Sequence, residues 1–121
     1  MRNDASPFLP LSPATLHILL ALAGEEMHGY GIMQEVARQS EGRYKLGPGT
    51  LYDNLQRMLD QGLVQEVTRR AANRGSNDDP RRRYYRLSSL GRSVLSGEII
   101  RLESVVRDAR LRLQTAKTRG A

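Results

Sequence analysis

The stretch GPGTLYDNLQRMLDQGLVQEVTR, residues 47–69, changes its hydrophobic period partway along, and that change decides the fold. Leu51, Leu55, Met58 and Leu59 recur at helical spacing. Pro48 suits a first helical turn, where its missing N–H would have no intrahelical partner anyway. Gly62 supplies the C-terminal stop. From Leu63 to Arg69 the period falls to two, as in a strand. Rotating by about 100° per residue sets Gly49, Thr50, Asp53, Gln56 and Arg57 opposite the apolar stripe, with Tyr52 on the flank. A helix over about 48–61 therefore runs straight into a strand.

Outward from there, Arg82-Arg83-Tyr84-Tyr85-Arg86-Leu87 reads as the partner strand. Arg70 to Arg81, rich in Asn, Asp, Gly and Pro, reads as a polar hairpin tip. Upstream, Ser12-Pro13 starts a first helix as N-cap and first-turn proline. Its expected buried stripe is Leu16, Leu19, Leu20 and Ala23, and Gly24 ends it. His28-Gly29-Tyr30-Gly31 opens a second helix with Ile32, Met33, Val36 and Ala37 inside, stopping before Ser40-Glu41-Gly42. Arg43 to Leu46 is a short connector with room for one β-bridge. Downstream, Ser88 or Ser89 caps a last helix of about 89–117. Its residues Leu95, Ile99, Leu102, Val106, Ala109, Leu113 and Ala116 make a heptad seam. Residues 1–11, with Pro7 and Pro10, read as a flexible arm. The expected organisation is an arm over 1–11, a helix-turn-helix with a wing over 12–88, and a dimerisation helix and tail over 89–121. The fold class is mainly α with a small β-hairpin.

Composition narrows the function. The 121 residues make one domain, and 39% apolar residues suffice for one core. Residues 69–92 hold eight arginines and two aspartates, an excess equal to the whole net charge of +6, while the flanks cancel. Charge concentrated on one segment points to a polyanion, most often nucleic acid. The chain has no Cys, which excludes disulfides and zinc–thiolate sites and fits a reducing cytoplasm. No apolar run approaches membrane-spanning length, and no signal-peptide pattern opens the chain.

Three short helices followed by a two-stranded ribbon is the order of a winged helix. His28-Gly29-Tyr30 carries a further resemblance, as do Gly49-Thr50-Leu51-Tyr52 with Leu55, Leu59 and Gly62-Leu63, and Arg83-Tyr84-Tyr85-Arg86-Leu87-Ser88 with Gly91. Together, over residues 12–116, they resemble the PadR family of bacterial transcriptional regulators, in its short subgroup with a single C-terminal helix. The resemblance implies a dimeric repressor on double-stranded DNA, with the third helix in the major groove and the wing on backbone or minor groove. It also implies that the last helix packs with the partner's first helix, and that a small molecule can bind near the dimer interface. Without Trp, and with Phe8 as the sole Phe, the chain lacks obvious platforms for a flat aromatic ligand.

On that reading the DNA-facing residues are Gly49, Thr50, Tyr52, Asp53 and Arg57 on the third helix, Arg74, Arg81 and Arg82 on the wing, and Tyr30 on the second helix. The plainer alternatives stand beside it. The third helix can be an ordinary solvated face. Asp53 repels phosphates, yet can accept from cytosine N4. Arg57 can reach DNA or pair with Asp53. Tyr30 can touch phosphate or brace its helix. Alternation sets Arg83 with Tyr85 and Leu87, so Arg83 is the arginine expected to pair with protein. One of Tyr84 and Tyr85 is expected to pack on the core and the other to cover the sheet edge, rather than stack on bases. The dimer interface is expected at Leu16, Leu20, Leu95, Ile99, Leu102, Val106, Ala109 and Leu113. His17 and His28 lack partners at metal-ligand spacing, no catalytic constellation appears, and no cofactor or enzymatic activity is expected. A winged-helix protein-interaction module and a basic RNA-binding protein are the alternative functions. The operator is expected to be pseudo-palindromic, with half-sites about one helical turn apart.

Overall fold

A computed structural model describes residues 5–67 and 83–118. The hairpin tip, with Arg74, Arg81 and Arg82, lies outside the described residues.

The Ser12 hydroxyl accepts from the Thr15 N–H at 3.2 Å and starts α1 (Pro13–Gly24), with Pro13 in the first turn. The buried face of α1 is Ile18, Leu19, Ala21 and Leu22. This corrects the expected stripe: Leu20 stays 40% exposed, and Leu16 and Ala23 are half-buried. The helix is apolar nearly all round, so its period could not choose which side faces inward.

A two-residue strand, β1 (Met27–His28), leads into α2 (Gly29–Gln39). The His28 Nδ1 accepts from the Gly31 N–H at 3.1 Å, so this histidine caps the helix. The bridge expected at Arg43–Leu46 is not formed; the sheet's third strand is β1 instead. Residues 43–46 are held as a turn by Ser40, whose hydroxyl accepts from the Tyr44 N–H and donates to the Val36 carbonyl, both at 3.0 Å. Then comes α3 (Pro48–Asp60), burying Leu51, Asn54, Leu55 and Met58. Gly62 closes it at φ +80°, a left-handed conformation that a side chain would strain. β2 (Val64–Val67) follows, and β3 (Tyr84–Leu87) lies between β1 and β2, antiparallel to both. Val64 faces Leu87, and Glu66 faces Tyr85. Ile18, Leu22, Ile32, Leu51, Leu55, Met58, Leu63 and Val94 form the core between helices and sheet.

Ser88 joins the exit of α3 to the start of α4 (Ser89–Thr118). Its hydroxyl donates to the Gly62 carbonyl at 2.6 Å and accepts from the Gly91 N–H at 2.9 Å, and its N–H donates to the Leu63 carbonyl at 3.1 Å. Gly91 is needed there, because a Cβ would lie 2.1 Å from the Leu63 carbonyl oxygen.

The expected flexible arm is docked over residues 5–11. A turn at Ser6–Phe8 brings Ala5 and Leu9 onto Gly97, where a Cβ would sit 3.1 Å from Ala5 and 3.3 Å from Leu9. The Leu11 N–H donates to the Glu98 Oε2 at 3.1 Å. Glu98 is buried and also receives the Arg101 Nε at 2.6 Å. The anchor is a buried carboxylate on another element, which local periodicity does not reveal. Arg101 holds the Glu98 carboxyl below its ordinary range; burial opposes this and the Leu11 N–H assists.

Gly91→Ala should lower unfolding stability by about 1–3 kcal/mol through overpacking against rigid backbone. Urea unfolding at fixed protein concentration measures it; an unchanged midpoint contradicts the close approach. Because the folded Glu98 pKa lies below its unfolded value, its contribution is present above that unfolded value and is lost as pH falls through the folded one. Below about pH 4.5 the parent should therefore lose stability more steeply than Glu98→Gln. Parallel pH profiles would contradict the role given to this carboxylate.

Candidate nucleic-acid interface

The first turn of α3 is open. Its N-cap, Gly47, supplies no capping side chain, and Gly47, Pro48, Gly49 and Thr50 are all exposed. The leading N–H groups of a helix have no intrahelical acceptor and carry the positive end of its dipole. A Cβ built on Gly49 meets nothing within 4 Å, so packing inside the protein does not require glycine there. Asp53 and Gln56 share this exposed face. The whole turn is suited to close approach by an anion.

Arg57 is exposed but sits two turns further along, and it does not bond Asp53. Its Nη1 donates to the Asn54 Oδ1 at 3.2 Å, while the Asn54 Nδ2 donates to the Thr50 carbonyl at 2.8 Å. Asn54 is buried, and the sequence reading gave it no role. Arg57 borders a cleft with Phe8, Ser12, Thr15 and Gln61, away from the open first turn.

Tyr52 is 48% exposed, and its hydroxyl lies against Gly29 at the start of α2. Tyr30 is adjacent in sequence and 59% exposed. Arg43 and Lys45 are exposed on the turn between α2 and α3. They are the basic residues nearest in sequence to the open turn, and the larger concentration of charge after residue 68 hides them in the sequence.

At the wing's base the arginines are occupied by protein. Arg83 pairs with Glu66 at 3.5 Å, as the strand alternation implied. The Arg86 Nε donates to the Gln65 Oε1 across the ladder at 3.0 Å. Tyr84 and Tyr85 are both buried. The His28 ring meets Tyr84 edge-on at 5.3 Å. Burial pushes the Tyr85 phenol up, and Glu66 and Tyr52 add to the rise, while Arg83 opposes it.

Among the described residues, two apolar surfaces stay uncovered. One is the outer side of α1 around Leu20, with Leu16 half-buried beside it. The other is the distal part of α4: Ile99, Val105, Val106, Ala109, Leu111 and Leu113 are exposed and Leu102 is half-buried. Leu95 belongs to the chain's own core, so the seam begins inside the domain and runs outward. Ile99, Leu102, Val106 and Leu111 line a groove edged by Glu103, Arg107 and Arg110. Among the described residues, no three His, Asp or Glu side chains are grouped to hold a metal ion. His17 stacks on Tyr44 at 4.7 Å. No described helix is long and apolar enough to cross a membrane.

Comparison with known proteins agrees with this geometry. The profile of the transcriptional regulator PadR-like family matches residues 18–97. The transcriptional regulator Rv3488 of Mycobacterium tuberculosis is 36% identical over 93 residues, 77% of this chain and 78% of that protein. Among solved structures, a PadR family transcription regulator from Clostridium difficile superposes with a TM-score of 0.66 at 24% identity, covering 84% of this chain and 99% of that one. Bacillus subtilis PadR in complex with operator DNA superposes with a TM-score of 0.61 at 21% identity, covering 75% of this chain and 49% of that one.

The Arg83–Glu66 pair gives a prediction. Glu66→Gln should free Arg83 for phosphate, raising affinity for random duplex DNA and steepening the salt dependence by up to about one unit of log–log slope. A lower affinity or a shallower slope would contradict the assignment of Glu66 as a local neutraliser.

Proposed function

This chain belongs to the PadR-like family of transcriptional regulators, non-enzymatic DNA-binding proteins, and from that membership we propose that it is a cytoplasmic homodimeric repressor of a pseudo-palindromic operator. The observation that carries the reading is the open first turn of α3. Its leading N–H groups are uncapped, and Gly49 is a glycine that no neighbour within the protein demands. In this role Gly49 and Thr50 approach the duplex, Asp53 faces a base edge, and Tyr30, Arg43 and Lys45 touch phosphates beside the groove. The wing, with Arg74, Arg81 and Arg82, grips the backbone or the minor groove. Tyr52 and Arg57 are the weaker members of the expected set, since each is engaged by the protein itself.

The uncovered apolar faces support the dimer in this reading. In a two-fold arrangement the distal α4 of one protomer covers the α1 outer face of the other, and the reverse contact is identical. Leu16 and Leu20 then meet Ile99, Leu102, Val106, Ala109 and Leu113. Each large side chain newly buried contributes roughly 1.5–3 kcal/mol. Repression follows if the bound dimer occludes the promoter. A small-molecule effector would sit beside that interface, where Glu103, Arg107 and Arg110 edge the seam. These edges suit a partly charged molecule better than a flat neutral ring.

Selection from a random duplex pool should enrich a pseudo-palindrome with half-sites about one turn apart. No enrichment, or a preference for folded RNA at equal salt, would overturn the reading. Val106→Glu should convert the dimer to monomer and lower operator affinity by about a hundredfold or more, as buried charge in an apolar seam is costly. Sedimentation and binding at matched salt measure both effects, and a Val106→Glu protein that remains dimeric would contradict the seam.

A further inference from the structure

Gly29 is buried at the first position of α2, and its φ is ordinary. Nothing about the backbone therefore demands glycine, and alanine is the better helix former. What excludes a side chain is Tyr52. A Cβ at Gly29 would lie 2.2 Å from the Tyr52 hydroxyl oxygen, 2.8 Å from Cζ and 3.1 Å from Cε1. The ring of an α3 residue thus rests on the residue that follows β1. His28, the last residue of β1, is paired with Tyr84 in β3, and its ring packs edge-on against the Tyr84 ring at 5.3 Å. The contact path runs from α3 through Tyr52 to Gly29, along β1, and into the strand that roots the wing.

We propose that Tyr52 is a positioning residue rather than a base or phosphate contact: its ring, seated on Gly29, fixes α3 relative to β1 and β3 and so sets the angle between recognition helix and wing. This rests on the reading of α3 as the recognition helix. The hydroxyl oxygen lies nearest Gly29 with Cζ and Cε1 behind it, and the contact is steric, so the ring holds it without a hydrogen bond from the hydroxyl. On that reading, α3 and the wing must engage one duplex together. A change of tilt therefore weakens binding to the matched operator more than the loose binding to random DNA.

The test compares Tyr52→Phe, Tyr52→Ala, Gly29→Ala and the double variant Gly29→Ala/Tyr52→Ala. Binding is measured to a selected operator and to random duplex at one salt concentration, with dimer content checked for each. Tyr52→Phe should bind the operator within about twofold of the parent. Tyr52→Ala and Gly29→Ala should each lose about tenfold on the operator and under about twofold on random duplex, the tenfold matching roughly 1.4 kcal/mol. Adding Gly29→Ala to Tyr52→Ala should cost nothing more, and should raise thermal stability slightly, since the clash is gone and the helix gains a better former. Loss in Tyr52→Phe equal to that in Tyr52→Ala would overturn the proposal in favour of a direct hydroxyl contact. A neutral Gly29→Ala, or additive losses in the double variant, would overturn it as well. Hydrogen exchange without DNA keeps the test independent of the recognition reading. Amides of Met27–His28 and Tyr84–Leu87 should exchange faster in Tyr52→Ala and Gly29→Ala, and unchanged rates overturn the proposal. A parent protein with no operator preference, but with this exchange pattern, would sink the recognition reading and leave Tyr52 as the lock.

Discussion

The hydroxyl of Ser88 is the constraint on which the arrangement depends. One buried side chain donates to the Gly62 carbonyl just past α3 and starts α4 by accepting from the Gly91 N–H. Helix ends leave backbone groups unsatisfied, and a buried end without partners is costly. Ser88 ties the residue just past α3 to the first turn of α4 at one point, where the two wing strands also begin and finish. α3, the base of the wing and α4 therefore share one node. Gly91 brings α4 into contact with the Leu63 backbone at that node.

Much of this was legible in sequence because it depends on local chemistry. The switch of period after Gly62, the Ser12-Pro13 start and the Ser88 cap are properties of neighbouring residues. The pairing of Arg83 followed from strand alternation with Tyr85 and Leu87, because the register sets Glu66 opposite Tyr85. What escaped was set by tertiary contact. The inner face of α1 could not be chosen from a helix that is apolar nearly all round. β1 is two residues long and exists only because β3 lies beside it. The docking of residues 5–11 depends on a carboxylate 87 positions away from Leu11. Arg57 turned to Asn54 because that buried amide, already fixed by the Thr50 carbonyl, presents its oxygen along the same helix row.

Charge and choice are separated in this chain. The arginine excess belongs to residues 69–92, and at the wing's described base Arg83 and Arg86 are tied to Glu66 and Gln65. The exposed face of α3 carries Asp53 against Arg57 and so contributes little net charge. Under the proposed function, the wing supplies grip that weakens with salt, and α3 supplies discrimination through backbone proximity and short polar side chains. Binding strength and sequence preference should then respond to different substitutions.

Under the proposed function, two copies present their α3 helices to successive major grooves. The chain has no cysteine, so Gln56→Cys places a single spin label on the exposed face of α3 in each protomer. Pulsed electron spin resonance on the labelled protein bound to a selected operator reads the distance between the two labels. A narrow distribution near about 34–36 Å, one turn of duplex, is the predicted result, allowing for the label's own length. The absence of an intermolecular distance, or a distribution far longer than one helical turn, would contradict the account.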